Sequence, residues 1–304
     1  MAAPTQRIAV LGAGLMGHGI AQCFAAHGHT VGLFDADADV LAGAIGRIRS
    51  IFDLLDQDPA GADNIEPCSE LDAAVRDAGF VIEAVPERLA IKQEVLRRAE
   101  AAAKRDTILA SNTSAIRITD IAQALAAPGR LVGTHFWNPP HLVPLVEVVQ
   151  TERTDPAVVE KTMALIEAGG KTPVHVRRDV PGFIGNRLQH ALKREAIALV
   201  ENGVCDAETV DEVVKSGFGP RLAVLGPLEQ SDLVGLDLTL DIHQVLLPDL
   251  DRSAAPQDLL KRKVAAGELG MATGIGFRRW TKEAAEAVRA RLTRHMVAGT
   301  RRPG

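Results

Sequence analysis

Two side chains near the middle of this chain are of the right types for proton transfer. The stretch RLVGTHFWNPPHLVPLVEVVQ, residues 130–150, carries His135 at the end of one apolar run and Glu147 inside a second. Residues 131–134 and 145–149 read as buried strands. Pro139, Pro140 and Pro144 forbid a helix between them and make a rigid loop. A carboxylate inside a Val/Leu strand is costly to bury without a cation or a hydrogen-bond donor. His135 is the candidate partner. An imidazole held through one nitrogen by a carboxylate has a fixed tautomer, and its other nitrogen is left to take a proton. On this stretch alone the plainer alternative stands first: a glutamate facing solvent on an edge strand and an ordinary core histidine. The rest of the chain decides.

A second constellation opens the chain. RIAVL (7–11) reads as a short buried strand, and GAGLMG follows at once, placing Gly12, Gly14 and Gly17 in a GxGxxG pattern around Leu15 and Met16. An apolar helix from 15 to about 26 is closed by Gly28, and TVGLF (30–34) is the second strand, ending in Asp35. Asp35 lies 21 residues after Gly14, the distance at which an acidic side chain binds adenosine ribose hydroxyls. Gly12 permits the tight turn, Gly14 lets the backbone approach a pyrophosphate, and Gly17 allows close packing of helix on strand. The helix N-terminus supplies N–H groups and the positive end of a dipole to the phosphates. Asp35 would repel a 2′-phosphate, so NAD is expected rather than NADP.

These residues need a frame. A helix is expected over 37–55, a polar loop over 56–69, a helical turn over 72–77, a strand over 80–85, a helix over 87–104 and a strand over 107–110. The alternation predicts a Rossmann-type, mainly parallel sheet with helices on both faces. SNTS (111–114) falls just past the end of a strand, where such sheets place ligands, and reads equally as a helix cap before 117. Asp155 and Pro156 start a helix that runs to Gly169-Gly170, and 172–176 is the last strand. From 179 helical patterns take over, at about 182–201, 206–215, 228–245, 257–266 and 282–295. A boundary near Arg178 therefore divides an NAD-binding domain, 1–178, from an all-helical domain, 179–304. The second is expected to serve the substrate and to bury a homodimer interface with its Ala/Leu/Val-rich helices.

Composition narrows the partners. Of 304 residues 46% are hydrophobic and 24% charged, and the formal charge is −5. Without a long basic run, neither nucleic acid nor an anionic membrane is an expected partner. Cys23, Cys68 and Cys205 show no CxxC spacing and read as reduced thiols, so neither a metal cluster nor a disulfide framework is expected. Only MAAPTQR precedes the first strand, too little for a signal peptide, and no apolar run has membrane-spanning length; a cytoplasmic location is expected.

GAGLMGHGIAQ, ASNTSAIRIT, HFWNPPHLVPLVEVV and VPGFIGNRL, in this order, with GELG and GIGF near the C-terminus, together resemble the NAD-dependent 3-hydroxyacyl-CoA dehydrogenase family. The resemblance implies oxidation of a 3-hydroxyacyl-CoA to its 3-oxo product, a reaction of fatty acid metabolism. It makes His135 the general base and Glu147 its partner. Ser114 would hydrogen-bond the substrate oxygen, Asn138 would help hold the constellation, and Asn186 would reach in from the helical domain. Glu87 and Lys92 match positions near the cofactor, with an exposed charged helix face as the alternative. The chain departs from the family pattern in four places. Trp137 replaces the usual Phe, Pro140-His141 sits in the loop, and SNTSA replaces SNTSS. The lysine-rich helical hairpin that clamps coenzyme A is shortened, leaving Arg47 and Arg49 and no lysine. The acyl-CoA reading is taken first. Dehydrogenation of a small hydroxy acid or alcohol without coenzyme A is the alternative, and a non-catalytic NAD-binding protein is third.

Overall fold

Short apolar strands alternating with amphipathic helices have two faces to cover, and this chain covers both. The computed structural model describes residues 5–300. In chain order come β1 (Arg7–Leu11), α1 (Gly17–Ala25), β2 (Thr30–Phe34), α2 (Ala38–Leu55), β3 (Ile65–Cys68), α3 (Leu71–Val75) and β4 (Phe80–Glu83). There follow α4 (Leu89–Ala102), β5 (Ile108–Ser111), α5 (Ile118–Ala122), β6 (Leu131–Phe136), β7 (Leu145–Val149), α6 (Pro156–Ala168) and β8 (Thr172–Val176). One sheet takes all eight strands in the order β3-β2-β1-β4-β5-β6-β7-β8. Neighbours run parallel except β6 and β7, which are antiparallel.

Successive residues of a strand point to opposite faces, and the two cores divide accordingly. Ile8 and Val10 join Phe24, Ile48, Phe52 and Ile166 beneath α1, α2 and α6. Ala9 and Leu11 join Val75, Leu96, Leu109 and Ile121 beneath α3, α4 and α5. The order reverses between β1 and its two neighbours, so the loops after β1, β2, β4, β5 and β6 open along the carboxyl edge of the sheet, the usual ligand edge.

The expected Rossmann-type sheet and helical remainder are present, with two corrections. The stretch 56–69, expected as a loop, contains a 3₁₀ turn (Pro59–Asn64) and β3, with Pro67 opposite Leu33 of β2. Pro67 hid the strand, but β3 is an edge strand, where a missing donor on the outer side is tolerated. The single helix expected over 228–245 is two, α9 (Pro227–Val234) and α10 (Leu236–Leu246), broken at Gly235 with φ of 102°.

The chain divides into two compact units, one of residues up to Arg187 together with those from Thr293 onward, the other Leu188–Leu292. The second holds most of α7 (Gly185–Glu201), then α8 (Ala207–Ser216), α9, α10, α11 (Asp258–Ala265) and the start of α12 (Lys282–Thr300). Asp206 caps α8 by accepting the Thr209 N–H at 2.8 Å. None of α8 to α11 has a buried residue, and Leu228, Leu236, Leu240 and Val245 are exposed. No helix among the described residues is long and apolar enough to cross a membrane.

Candidate active site

Antiparallel pairing of β6 with β7 sets His135 directly opposite Glu147. Side chains of opposed residues share a face, so the imidazole and the carboxylate meet. His135 Nδ1 lies 2.8 Å from Glu147 Oε2, with both side chains buried. The alternative of a solvent-facing glutamate on an edge strand is thereby removed, since β8 covers β7 and pairs Glu147 with Val174. Glu147 accepts further bonds, from the Trp137 indole Nε1 at 3.3 Å to Oε2, and from the Ile184 and Gly185 N–H groups at 2.9 and 3.0 Å to Oε1. Burial pushes the Glu147 carboxyl up. The His135 imidazole and the Gly185 and Ile184 N–H groups outweigh it and hold the group below the ordinary glutamate value. With Nδ1 engaged by the carboxylate, Nε2 is the proton-accepting nitrogen of the neutral ring.

A second buried carboxylate lies at the end of β4. Glu83 accepts the Lys92 ammonium at 2.9 Å and the Val85 N–H at 2.7 Å through Oε1, and the Ser111 hydroxyl at 2.6 Å through Oε2. Burial pushes Glu83 up, against the pull of Lys92, Ser111 and Val85. Lys92 also reaches Val85 O and Glu87 Oε2, both at 3.2 Å. It is a buried ion-pair centre on α4, not part of an exposed charged face.

Glu87 carries that network into the SNTS loop. Its Oε1 accepts the Thr113 hydroxyl at 2.6 Å and the Ser114 and Ala115 N–H groups at 2.9 Å each. Partial burial raises Glu87, but these donors and Lys92 bring it down to about 2. Ser114 is exposed at the loop tip, and its carbonyl accepts the Asn186 side-chain amide at 3.0 Å. Asn112 accepts the Phe136 N–H at 2.8 Å, which ties the loop to the end of β6 beside His135. Asn138 is exposed at the start of the loop after β6. Ser114, Asn186, Glu87 and Lys92 thus form one connected set, and His135 and Glu147 form another one strand away.

The loop after β1 is shaped for a dinucleotide. Gly12 has φ of 105°, and a Cβ there would meet Ala84 O at 2.7 Å, so the turn closes only without a side chain. At Gly14 a Cβ would meet nothing within 4 Å, leaving that peptide open to approach. Leu15 is exposed beside it, whereas Met16 packs on the core. Asp35 Oδ2 accepts the Ala13 N–H at 2.7 Å, so the carboxylate is anchored next to the glycine loop at the end of β2. These residues fit NAD: an open N–H-lined turn for the pyrophosphate and a carboxylate for the ribose.

The sequence does not single out Glu83 or the Ile184 and Gly185 N–H groups, and within SNTS it does not assign separate parts to Ser111, Asn112 and Thr113. A signal existed for Glu83, which ends the apolar run FVIE just as Glu147 interrupts LVEVV. The others act through backbone or loop geometry that spacing does not encode.

Fold and site together define a hydroxyl-oxidising nucleotide enzyme, and comparison supplies its kinship. Residues 7–180 match the model of the 3-hydroxyacyl-CoA dehydrogenase NAD-binding domain and 182–280 that of the family's C-terminal domain. The chain belongs to the 3-hydroxyacyl-CoA dehydrogenase family and is an NAD-dependent dehydrogenase acting on a CH–OH group. It is 37% identical over 302 residues to the 5-formyl-3-hydroxy-2-methylpyridine 4-carboxylate 5-dehydrogenase of Mesorhizobium japonicum, covering 96% of each chain. A crystal structure of an enzyme of that activity, described as an NAD+ dependent dismutase, superposes with a TM-score of 0.91 at 36% identity over 98% of each chain. L-carnitine dehydrogenase of Streptomyces griseus is 38% identical over 82% of this chain and 79% of its own. Human mitochondrial hydroxyacyl-coenzyme A dehydrogenase is 37% identical over 90% of each chain.

Proposed function

We propose that this chain oxidises a small hydroxylated carboxylate that carries no coenzyme A. The observation that supports this is the state of α2. Its two cations are Arg47 and Arg49, and the Arg47 guanidinium is turned onto the Ala13 and Val40 carbonyls at 3.1 and 2.9 Å. Beyond Leu55 the chain enters a 3₁₀ turn and the β3 edge strand, with no second helix to complete a hairpin. A 3′-phospho-ADP group needs several cationic contacts, and this region offers Arg49 alone beyond the engaged Arg47. The relatives named for a pyridine carboxylate and for carnitine match this chain as well as the acyl-CoA enzyme does.

His135 Nε2 takes the hydroxyl proton, and Glu147 balances the charge of the imidazolium that results. NAD, when bound along the loop after β1, supplies the hydride acceptor. Ser114 and Asn186 orient the substrate oxygen, Glu87 and Lys92 fix the loop that carries Ser114, and Asn138 lines the entrance. An aldehyde enters the same chemistry as its hydrate, whose carbon also bears hydroxyl and hydrogen. The exposed leucines of α9 and α10 form the contact of a homodimer, because apolar surface on this scale is buried by association.

The test is NADH formation with 5-formyl-3-hydroxy-2-methylpyridine 4-carboxylate, L-carnitine and free 3-hydroxybutyrate, beside 3-hydroxybutyryl-CoA. Turnover of one of the free acids, with none of the thioester, is expected. Efficient turnover of the thioester alone would restore the acyl-CoA reading.

A further inference from the structure

His135 is flanked by two rings, Trp137 and Phe183, each with its centroid 5.5 Å from the imidazole. Trp137 differs from Phe183 in carrying a donor, and that donor is aimed at the carboxylate that holds His135. The indole also fills the space over Gly185, where a Cβ would overlap the Trp137 ring. A glycine at 185 and an indole at 137 therefore fit each other, and both present an N–H to Glu147. The two carboxylate oxygens are unequally placed. Oε1 takes two backbone N–H groups, whereas Oε2 is shared by imidazole and indole at 2.8 and 3.3 Å.

An indole N–H is a donor only and does not titrate in the working range, so its demand on Oε2 is constant. Each donor to a carboxylate draws charge from the oxygen it touches and weakens that oxygen as an acceptor for its other partner. We propose that Trp137 is a positioning residue of the pair, its indole N–H sharing Glu147 Oε2 with His135 so that the carboxylate holds the imidazolium less tightly. The Glu147 rotamer is then pinned from both sides, and the imidazole is held by an oxygen that already carries a second donor. A phenylalanine at 137 would keep the ring contact with His135 and lose the donor to Glu147.

No second ion pair reaches Glu147 among the described residues. β6 contributes His135, the first residue of α7 and the one before it contribute the Gly185 and Ile184 backbone N–H groups, and β8 places Val174 opposite Glu147. On β8 His175 is engaged with Gln150 at 2.8 Å. Among the described residues His135 is the one ion-pair partner that Glu147 has.

The inference rests on the reading of His135 and Glu147 as the working pair, and its test needs no substrate. In ¹⁵N-histidine-labelled protein, with His135 assigned through His135→Gln, the imidazole is titrated by NMR in the wild type and in Trp137→Phe. The variant should show a His135 Nδ1–H resonance moved downfield and a proton affinity raised about threefold, the size expected for losing one long charge-assisted bond. Coincident titrations with an unmoved Nδ1–H resonance would overturn the proposal and reduce Trp137 to packing. Should Trp137→Phe fail to fold, β-(3-benzothienyl)alanine installed at 137 keeps the indole shape without its N–H, and the same two outcomes apply. Turnover surviving in His135→Gln would remove the working pair itself, a failure that this titration does not share.

Discussion

Two buried carboxylates lie in one sheet, with β5 and β6 between their strands, and their partners differ. Glu83 closes β4 with Lys92, Ser111 and Val85 as donors, and Glu147 sits in β7 with His135, Trp137, Ile184 and Gly185. Both face the same cost of leaving water, and both meet it with three or four donors. The difference is the cation. An ammonium holds its charge across the working range, so the Glu83 pair is fixed and serves as scaffold. An imidazole has both a neutral and a charged form available, so on the proposed reading the Glu147 pair is the one that changes state during a reaction. Burial alone therefore does not separate the two carboxylates; what separates them is that one partner is an ammonium and the other an imidazole.

The largest expected effect breaks the working side. His135→Gln should lower turnover about 10²–10⁴-fold while NAD affinity, measured by calorimetry, stays near the wild-type value. Retained turnover would place both carboxylates in the scaffold class. Next comes the scaffold side. Lys92→Met leaves Glu83 buried without its cation and should cost about 3–5 kcal/mol in urea unfolding. A loss below 1 kcal/mol would show that Ser111 and Val85 suffice for Glu83.

The smallest effect concerns Glu87, which bridges Lys92 to the SNTS loop. Its carboxyl is lowered from 4.5 to about 2 in the folded chain, so its contribution to stability is fully present above about pH 4.5 and is lost as pH falls towards 2. Solvent reaches 41% of the side chain, which screens the effect. The gap in melting temperature between wild type and Glu87→Gln should therefore be modest above pH 4.5 and narrow below it. A gap that does not change with pH would mean that the loop N–H groups are satisfied without the charge.

Much of this was legible in the residues. Strand and helix periodicity locates seven of the eight strands, and the glycine pattern with Asp35 locates the open turn after β1 to which Asp35 is bonded. Glu147 was conspicuous because its neighbours are Val and Leu. Lys92 was not, because nothing in VPERLAIK shows that the lysine turns inward; that depends on Glu83, nine residues back on β4. β3 was hidden by Pro67, and the break at Gly235 by the apolar residues that flank it. Trp137 was noticed as a departure, but its role depends on the direction of one N–H, which only the fold of its loop determines.

The antiparallel turn between β6 and β7 has a consequence for how such enzymes diversify. His135 and Glu147 are matched by strand register, which a one-residue slip would destroy and which the loop between Phe136 and Leu145 does not set alone. Within that loop Trp137 bonds to Glu147, Leu142 is buried and Lys171 holds the Pro140 and Val143 carbonyls, so the exposed positions, Asn138 and Pro144, are the ones open to exchange. Substitution at those two positions varies the surroundings of the pair while the strand register that joins His135 to Glu147 is left as it is.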